Sequence, residues 1–518
     1  MEFRRLGDLH LAGAVMAGTG RAQRLALALL AAAFLWRLGL AAWLPLGIDE
    51  AYAVAVAREF SWSFFDHPPL GFWLPVAMAQ LTGLEHPFIY RLPFVALGGL
   101  TGWALWRMGC ILGGARAGLF TVVLWLVAPH MVFGSGLFVV PDAPLNAGGA
   151  LAILALLAAM RAGPERRPRP AVWLGFGVGL ALALASKYQA GLLALAALGF
   201  FLFTPRWRPW LAHPAPWAGA VLALAGLLPV LMWNLQTDWA SLRFHGGRTG
   251  GGFAPGNLAA MSAAQLLYLL PPVLMLALLG LRDALRLKTA GGIEACGGAR
   301  LLAWAALLPL AVFTLVYAFG TDTLPHWTMP GWLFALPLAG AWLARASATV
   351  RRRAGWWLLG FGVPVWALLM AFALHLPSGL LTRGMERTPG WDRQTEIIDL
   401  RGLSPALAAA GWLDGATALA VPGWMEGGQV STALGGALPV AVLGADRRHF
   451  GFHAPPPAGR WLMVLVAHES ARDTLPALAE ALAAEAGRGI TRAGLTVLQR
   501  GGRDHLAVGL YWLEAGAD

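Results

Sequence analysis

The residues of this sequence able to do chemistry stand at the ends of oily stretches. Asp49 and Glu50 are adjacent in GIDEAY (47–52), directly after the first long apolar run. A carboxylate at the edge of hydrocarbon is costly to keep there and tends to mark a functional pathway. The same two acids would equally serve as the N-terminal cap of a helix beginning near Ala51. Further on, REFSWSFFDHPPLGFW places Asp66 and His67 ahead of Pro68 and Pro69, which stiffen the loop and set the start of the next helix.

Cations follow on the same pattern. Lys187, in LALASKYQAGLLALA, is one of two lysines, with Lys288, among 38 basic residues. An ammonium beside Tyr188 at a membrane surface suits a phosphate emerging from lipid; the alternative is a lysine whose stem lies on apolar surface while its head reaches water. Arg243, His245 and Arg248 in SLRFHGGR add donors, and guanidinium matches phosphate oxygens in pairs. The glycines around them read as a mobile loop or as a plain connection. Asp142 in PDAP reads as a helix start with Pro144 in its first turn, and His326 in DTLPHWTMP as an interfacial histidine. Neither assigns a function alone.

A membrane body must position these groups. The chain has 518 residues, 58% hydrophobic and 13% charged, with a mean hydropathy of +0.61, far from a soluble domain. A helix crosses a bilayer in about 20 apolar residues. About eleven spans are expected, near 25–46, 88–108, 117–137, 143–160, 171–185, 189–204, 217–235, 262–281, 301–319, 331–345 and 355–375. The N-terminus lacks a short apolar core with a small-residue cleavage site, so the first span reads as retained. Arginines fill alternate gaps, at Arg4 to Arg24, Arg107/Arg116, Arg161 to Arg169, Arg206/Arg208, Arg282 to Lys288 and Arg345 to Arg353. The positive-inside rule puts those gaps in the cytoplasm, and every chemistry-bearing segment named above on the external face.

Residues 376–518 change character: runs such as TALAVPG and WLMVLVA read as strands and LPALAEALAAEAG as a helix. The expected fold is thus an all-α polytopic membrane domain, 1–375, with a small external α/β domain, 376–518. The net charge of +11 is spread over the gaps and forms no patch, which argues against nucleic acid. Cys110 and Cys296 have no metal-thiolate spacing.

Taken in order, DEAYAVAVAREF, FFDHPPLGFW, YRLPFVALGGL, VVPDAPL, SKYQAGLL, WNLQTDWASLRFHGGR and PHWTMPGW resemble the C-superfamily of membrane glycosyltransferases. The likeness is to the bacterial family 39/83 group that includes lipid A aminoarabinose transferase and relatives of protein O-mannosyltransferases, over roughly residues 20–345. The resemblance implies a polyprenyl-phosphate sugar donor and an active site on the external face. It makes Asp49 the catalytic acid with Glu50 beside it, and has Asp66 and His67 line the cavity. It also implies that Lys187, with Arg243 and Arg248, holds the donor phosphate and that His326 is the His-Trp element. This chain places Thr328 and Met329 between that element and Pro330, where relatives have proline directly. Transfer from a lipid phosphate needs a carboxylate to orient or deprotonate the acceptor and fixed cations for the departing phosphate.

The expected enzyme is an inverting hexosyl- or pentosyltransferase of the bacterial inner membrane, with its N-terminus cytoplasmic and its C-terminal domain periplasmic. Its acceptor is lipid A, lipopolysaccharide or a related glycolipid, or else protein hydroxyl groups. The sequence assigns no cofactor and leaves the need for a divalent metal open: Asp49, Asp66, His67 and His326 offer it oxygen and nitrogen, but without close ligand spacing. A flippase or transporter would instead favour charges near the bilayer midplane and internal repeats; Arg37 alone lies inside a span. A receptor or assembly scaffold would leave the loop acids dispensable.

Overall fold

The computed structural model describes residues 2–247, 251–286, 293–320, 323–385, 392 and 399–514, the side chains of 2–19 and 293–296 excepted. Apolar runs in lipid must satisfy their own backbone groups, which makes them helices. Among the described residues, those long and apolar enough to cross a bilayer are Gly20–Trp43 of α1 (Glu2–Trp43), α4 (Pro87–Val127), α6 (Asp142–Met160), Gly297–Phe319 of α14 (Ile293–Phe319) and α16 (Ala348–Ser378). These five become up to seven if two bent pairs each count as one crossing. The pairs are α9 (Pro214–Ala225) with α10 (Leu228–Gln236), and α12 (Pro255–Leu269) with α13 (Pro271–Arg286). Shorter apolar helices α3 (Leu70–Thr82), α7 (Pro170–Leu184) and α8 (Ala190–Phe203) complete the body with α15 (Met329–Arg345).

Helix α4 reverses on itself. Its 41 residues would run about 60 Å at 1.5 Å each, twice a bilayer core. The chain turns at Gly113–Gly114, where Gly114 takes φ 75°, a backbone open to glycine. The arms 87–112 and 115–127 then pack antiparallel, Gly109 against Gly118 and Thr121, Gly102 against Trp125. The passes expected at 88–108 and 117–137 share this hairpin, the second continuing as the short α5 (Pro129–Phe133). The straight span expected at 262–281 does not form: α12 and α13 meet at 100°. Pro271 and Pro272 cause the break, since proline removes a donor and bars the preceding residue from helical backbone; Leu270 takes φ 66°.

Helix α6 is the centre of the bundle. In its apolar window 78% of residues are buried, against 22% for Gly20–Trp43 and 17% for α16, which leaves those two facing lipid. Gly148 on α6 meets Gly179 on α7 so closely that a Cβ on Gly148 would stand 2.5 Å from the Gly179 carbonyl. Small residues are what permit such backbone contact in membranes. This crossing brings the start of α6 beside the end of α7, and so Asp142 beside Lys187.

The C-terminal chain forms a five-stranded mixed sheet in the order β2-β1-β3-β5-β4, from β1 (Ala418–Val421), β2 (Val440–Val442), β3 (Trp461–His468), β4 (Ile490–Arg500) and β5 (Arg503–Leu513). Strand β1 pairs parallel with β2 and β3; β5 pairs antiparallel with β3 and β4. Helices α17 (Leu403–Ala409), α18 (Trp424–Ala433) and α19 (Leu475–Glu485) cover it. The first inter-span segment is itself a helix, α2 (Ile48–Ala57), buried from Glu50 to Ala57. Its Tyr52, Val54 and Val56 share one apolar core with Leu462, Val464 and Leu510 of the sheet, which joins sheet and bundle at one face.

Candidate active site

Adjacent residues on a helix point about 100° apart, and α2 uses that to separate the two acids. Glu50 is 2% exposed, whereas Asp49 is exposed. Glu50 Oε1 accepts from Arg91 Nε at 2.8 Å and the Val139 amide at 2.9 Å; Oε2 accepts from Arg91 Nη2 at 2.6 Å and the Gly47 amide at 2.9 Å. Arg91 spends its other donors on the carbonyls of Ala41, Leu44 and Pro45. Glu50 therefore ties α1, α2, α4 and the bend at Val139 together, while Asp49 faces out from the same turn.

The loop 58–69 folds over α2. Tyr52 Oη donates to Asp66 Oδ1 at 3.3 Å, and Arg448 Nη1 stands 3.6 Å from Asp66 Oδ2. Burial pushes the Asp66 carboxyl up to about 6; Arg448 pulls it down and the neighbouring Asp49 charge raises it. His67 is held well below the usual imidazole range, by burial first and then by Lys187 and His245, so it is neutral at pH 7. Its Nδ1 is buried and has no hydrogen-bond partner among the described residues. The His245 Nε2 bonds the Asp66 carbonyl at 2.9 Å, and its ring lies 6.2 Å from His67 and 5.2 Å from Tyr188. Tyr188 Oη is 2.6 Å from Ser241 Oγ.

Lys187 is 4% exposed and Asp142 7%. The ammonium donates to Oδ1 at 3.0 Å and to Oδ2 at 2.9 Å. Two charges buried this deeply persist only when paired, and three N–H donors leave one beyond those given to Asp142. The α3 start is fastened to the same corner by a Leu70 amide bond to the Ala185 carbonyl at 2.8 Å.

His326 belongs to a short turn, Pro325–Thr328. Gln265 of α12 fixes that turn, donating to the Pro325 carbonyl and accepting from Thr328 Oγ1 and Trp332 Nε1. The interposed Thr328 is thus a buried hydrogen-bonding member of the turn. The His326 ring stacks on His130 at 5.8 Å, which in turn packs at a tilt against Tyr268 at 4.8 Å. Arg243 points elsewhere, into an exposed ion pair with Asp238 at 2.5 Å, and Arg248 lies outside the described residues. Among the described residues no three His, Cys, Asp or Glu side chains are grouped to hold a metal ion.

The structure thus gathers Asp66, His67, Asp142, Lys187, Tyr188, His245 and His326 about one face, with Asp49 on its α2 side. Sequence reading passed over Arg91, His130, Gln265, Arg448 and His449. His130 carried a signal, the helix-breaking Ala128-Pro129-His130 between two apolar runs; the others are isolated residues brought in by tertiary contact.

A helical membrane body is joined at one face to a small mixed sheet, with acids, a buried lysine and histidines on that face. The family model described as dolichyl-phosphate-mannose-protein mannosyltransferase matches residues 66–233, from Asp66 through Lys187 to Trp233. ArnT from Cupriavidus metallidurans bound to undecaprenyl phosphate superposes with a TM-score of 0.61 at 17% identity, covering 93% of this chain and 97% of that one. The same protein in the apo state gives 0.62 at 15% identity, covering 95% and 98%. No curated protein matches in sequence.

Proposed function

We propose that this chain transfers a hexose or pentose from a polyprenyl-phosphate donor to an acceptor of the cell envelope, lipid A or a related glycolipid, inverting the anomeric carbon. Asp49 orients or deprotonates the acceptor. Lys187 stabilises the departing phosphate, with Asp142 holding the ammonium in place between turnovers. Asp66, His67, Tyr188, His245 and His326 line the sugar and phosphate sites. The protein sits in the bacterial inner membrane with its N-terminus cytoplasmic and residues 376–518 periplasmic.

The observation that carries this reading is the buried Lys187 ammonium at the membrane edge, on the face that also holds Asp49. It gains support from a fold shared with a protein whose structure holds undecaprenyl phosphate. The family description, which names a protein mannosyltransferase, favours protein hydroxyls as the second choice of acceptor. Mass analysis of envelope glycolipids and glycoproteins from a deletion strain distinguishes these. Loss of one sugar from a glycolipid, with the lipid-linked sugar accumulating, is the expected result. Loss from protein alone selects the second acceptor, and an unchanged envelope contradicts sugar transfer.

A further inference from the structure

The segment 446–453, far along the C-terminal chain, reaches into the site. His449 is buried; its amide donates to Tyr52 Oη at 3.1 Å and its Nδ1 accepts from the Phe65 amide at 3.2 Å. Its ring packs 4.6 Å from Phe64 and 5.6 Å from Trp233, and His453 Nε2 lies 3.2 Å from the Val56 carbonyl. Helix α18 comes so close behind that a Cβ on Gly428 would meet the Tyr52 backbone at 2.5 Å. Pinned between these contacts, Arg448 takes φ 45°, a left-handed backbone that a residue with a Cβ adopts only where its surroundings impose it.

That backbone aims the guanidinium at a specific place. It lies 4.8 Å over the Trp424 ring and 5.1 Å over the Phe244 ring. Its Nη1 is 3.6 Å from Asp66 Oδ2 and its Nε 3.4 Å from Asp446 Oδ1. One cation therefore touches three separate parts of the molecule: the loop 58–69 through Asp66, α11 (Ala240–Gly247) through Phe244, and the sheet unit through Trp424 and Asp446. Two carboxylates already balance the charge, so the arrangement is a clamp rather than a receptor for an anionic ligand. Only a planar cation can stack between two rings and still face a carboxylate edge-on.

We propose that Arg448 is a positioning residue for the site, holding Asp66 and α11 in register, so that the C-terminal unit completes the site. The kinetic part of this inference rests on the sugar-transfer reading; the structural part does not.

Two measurements on the full chain test it. In hydrogen exchange, Arg448→Ala is expected to raise exchange in 62–67 and 240–247 while strands 418–421 and 461–468 keep wild-type protection. Unchanged exchange in both segments overturns the clamp, whether or not the protein transfers sugar. In kinetics, residues acting through one another are non-additive. If Arg448→Ala and Asp66→Asn each lower kcat/KM about 10-fold, the double variant should also fall about 10-fold, where independent effects would give about 100-fold. Arg460→Ala, which breaks an exposed pair with Glu514 in the same unit, should combine multiplicatively with Asp66→Asn. Arg448→Lys should recover part of the rate, keeping charge without the stacked fork. Independent multiplication for Arg448→Ala with Asp66→Asn would overturn the positioning role. A wild-type protein without transfer activity would contradict the proposed function and leave the exchange result to decide the clamp.

Discussion

Glu50→Ala should unfold this protein far more readily than Asp49→Ala, although the two acids are neighbours in sequence. Glu50 accepts four hydrogen bonds, two from Arg91 and one each from the Gly47 and Val139 amides. Alanine leaves the Arg91 guanidinium, 0% exposed, with three carbonyl partners and no counter-charge, and strands two amides. Removing one partner of a buried ion pair costs about 3–5 kcal/mol, and the orphaned amides place Glu50→Ala in the upper part of that range. The loss is a large share of a total stability of about 5–15 kcal/mol. Asp49 is exposed, where substitutions usually stay within about 0.5 kcal/mol. Taking away both charges, as in Glu50→Leu with Arg91→Met, should recover most of the loss, because an uncompensated buried charge is its main source. The assay is the fraction of protein remaining monodisperse in detergent after heating. Equal stability of Glu50→Ala and Asp49→Ala, or a double variant worse than Glu50→Ala, would refute this role of the Glu50–Arg91 pair.

Lys187→Ala should both weaken donor binding and destabilise, since it leaves Asp142 buried alone; adding Asp142→Asn should restore heat resistance but not donor affinity, read by lipid-phosphate binding. The Asp66 carboxyl, raised from an ordinary 3.8 to about 6 by burial, binds its proton more tightly folded than unfolded. Its contribution is therefore fully present below about pH 4 and is lost as pH rises through about 6, a fall of about 3 kcal/mol. Comparing heat resistance at pH 4, 5, 6 and 7 with that of Asp66→Asn should show this slope removed in the variant; an identical slope contradicts the shift. Reporter fusions after Arg169 and Asp518 should report cytoplasm and periplasm respectively; cytoplasmic activity of the second would reverse the face assigned to the site.

How far the sequence revealed this arrangement depended on the distance each contact spans. Lys187 stood out by type and place, yet its partner Asp142 could not be read, because their meeting depends on the Gly148–Gly179 crossing of two uniformly apolar helices. Adjacent Asp49 and Glu50 were visible as a pair, but α2 is apolar on every side after them, so no stripe told which acid turns inward. Strands β1 and β3 and helix α19 announced themselves by short apolar runs and helical spacing. Strands β4 and β5 are joined at Gly501-Gly502, a legible hairpin signal, but alternate polar and apolar residues less strictly. The 100° bend at Leu270 was written in Pro271-Pro272, hidden only because hydropathy averages across it. Arg448 and His449 reach the site from the sheet, where local pattern carries no trace of the contact.

The most direct measurement is turnover by Asp49→Asn in proteoliposomes, with a labelled sugar on a polyprenyl-phosphate donor and donor binding measured in parallel. Asparagine keeps the size and removes the charge, so packing is preserved. A general base contributes about 10²–10⁴-fold, and turnover should fall within that range while donor binding and heat resistance stay near wild type. Wild-type turnover by a well-folded Asp49→Asn protein would contradict the assignment of Asp49 and leave α2 with a purely structural pair of acids.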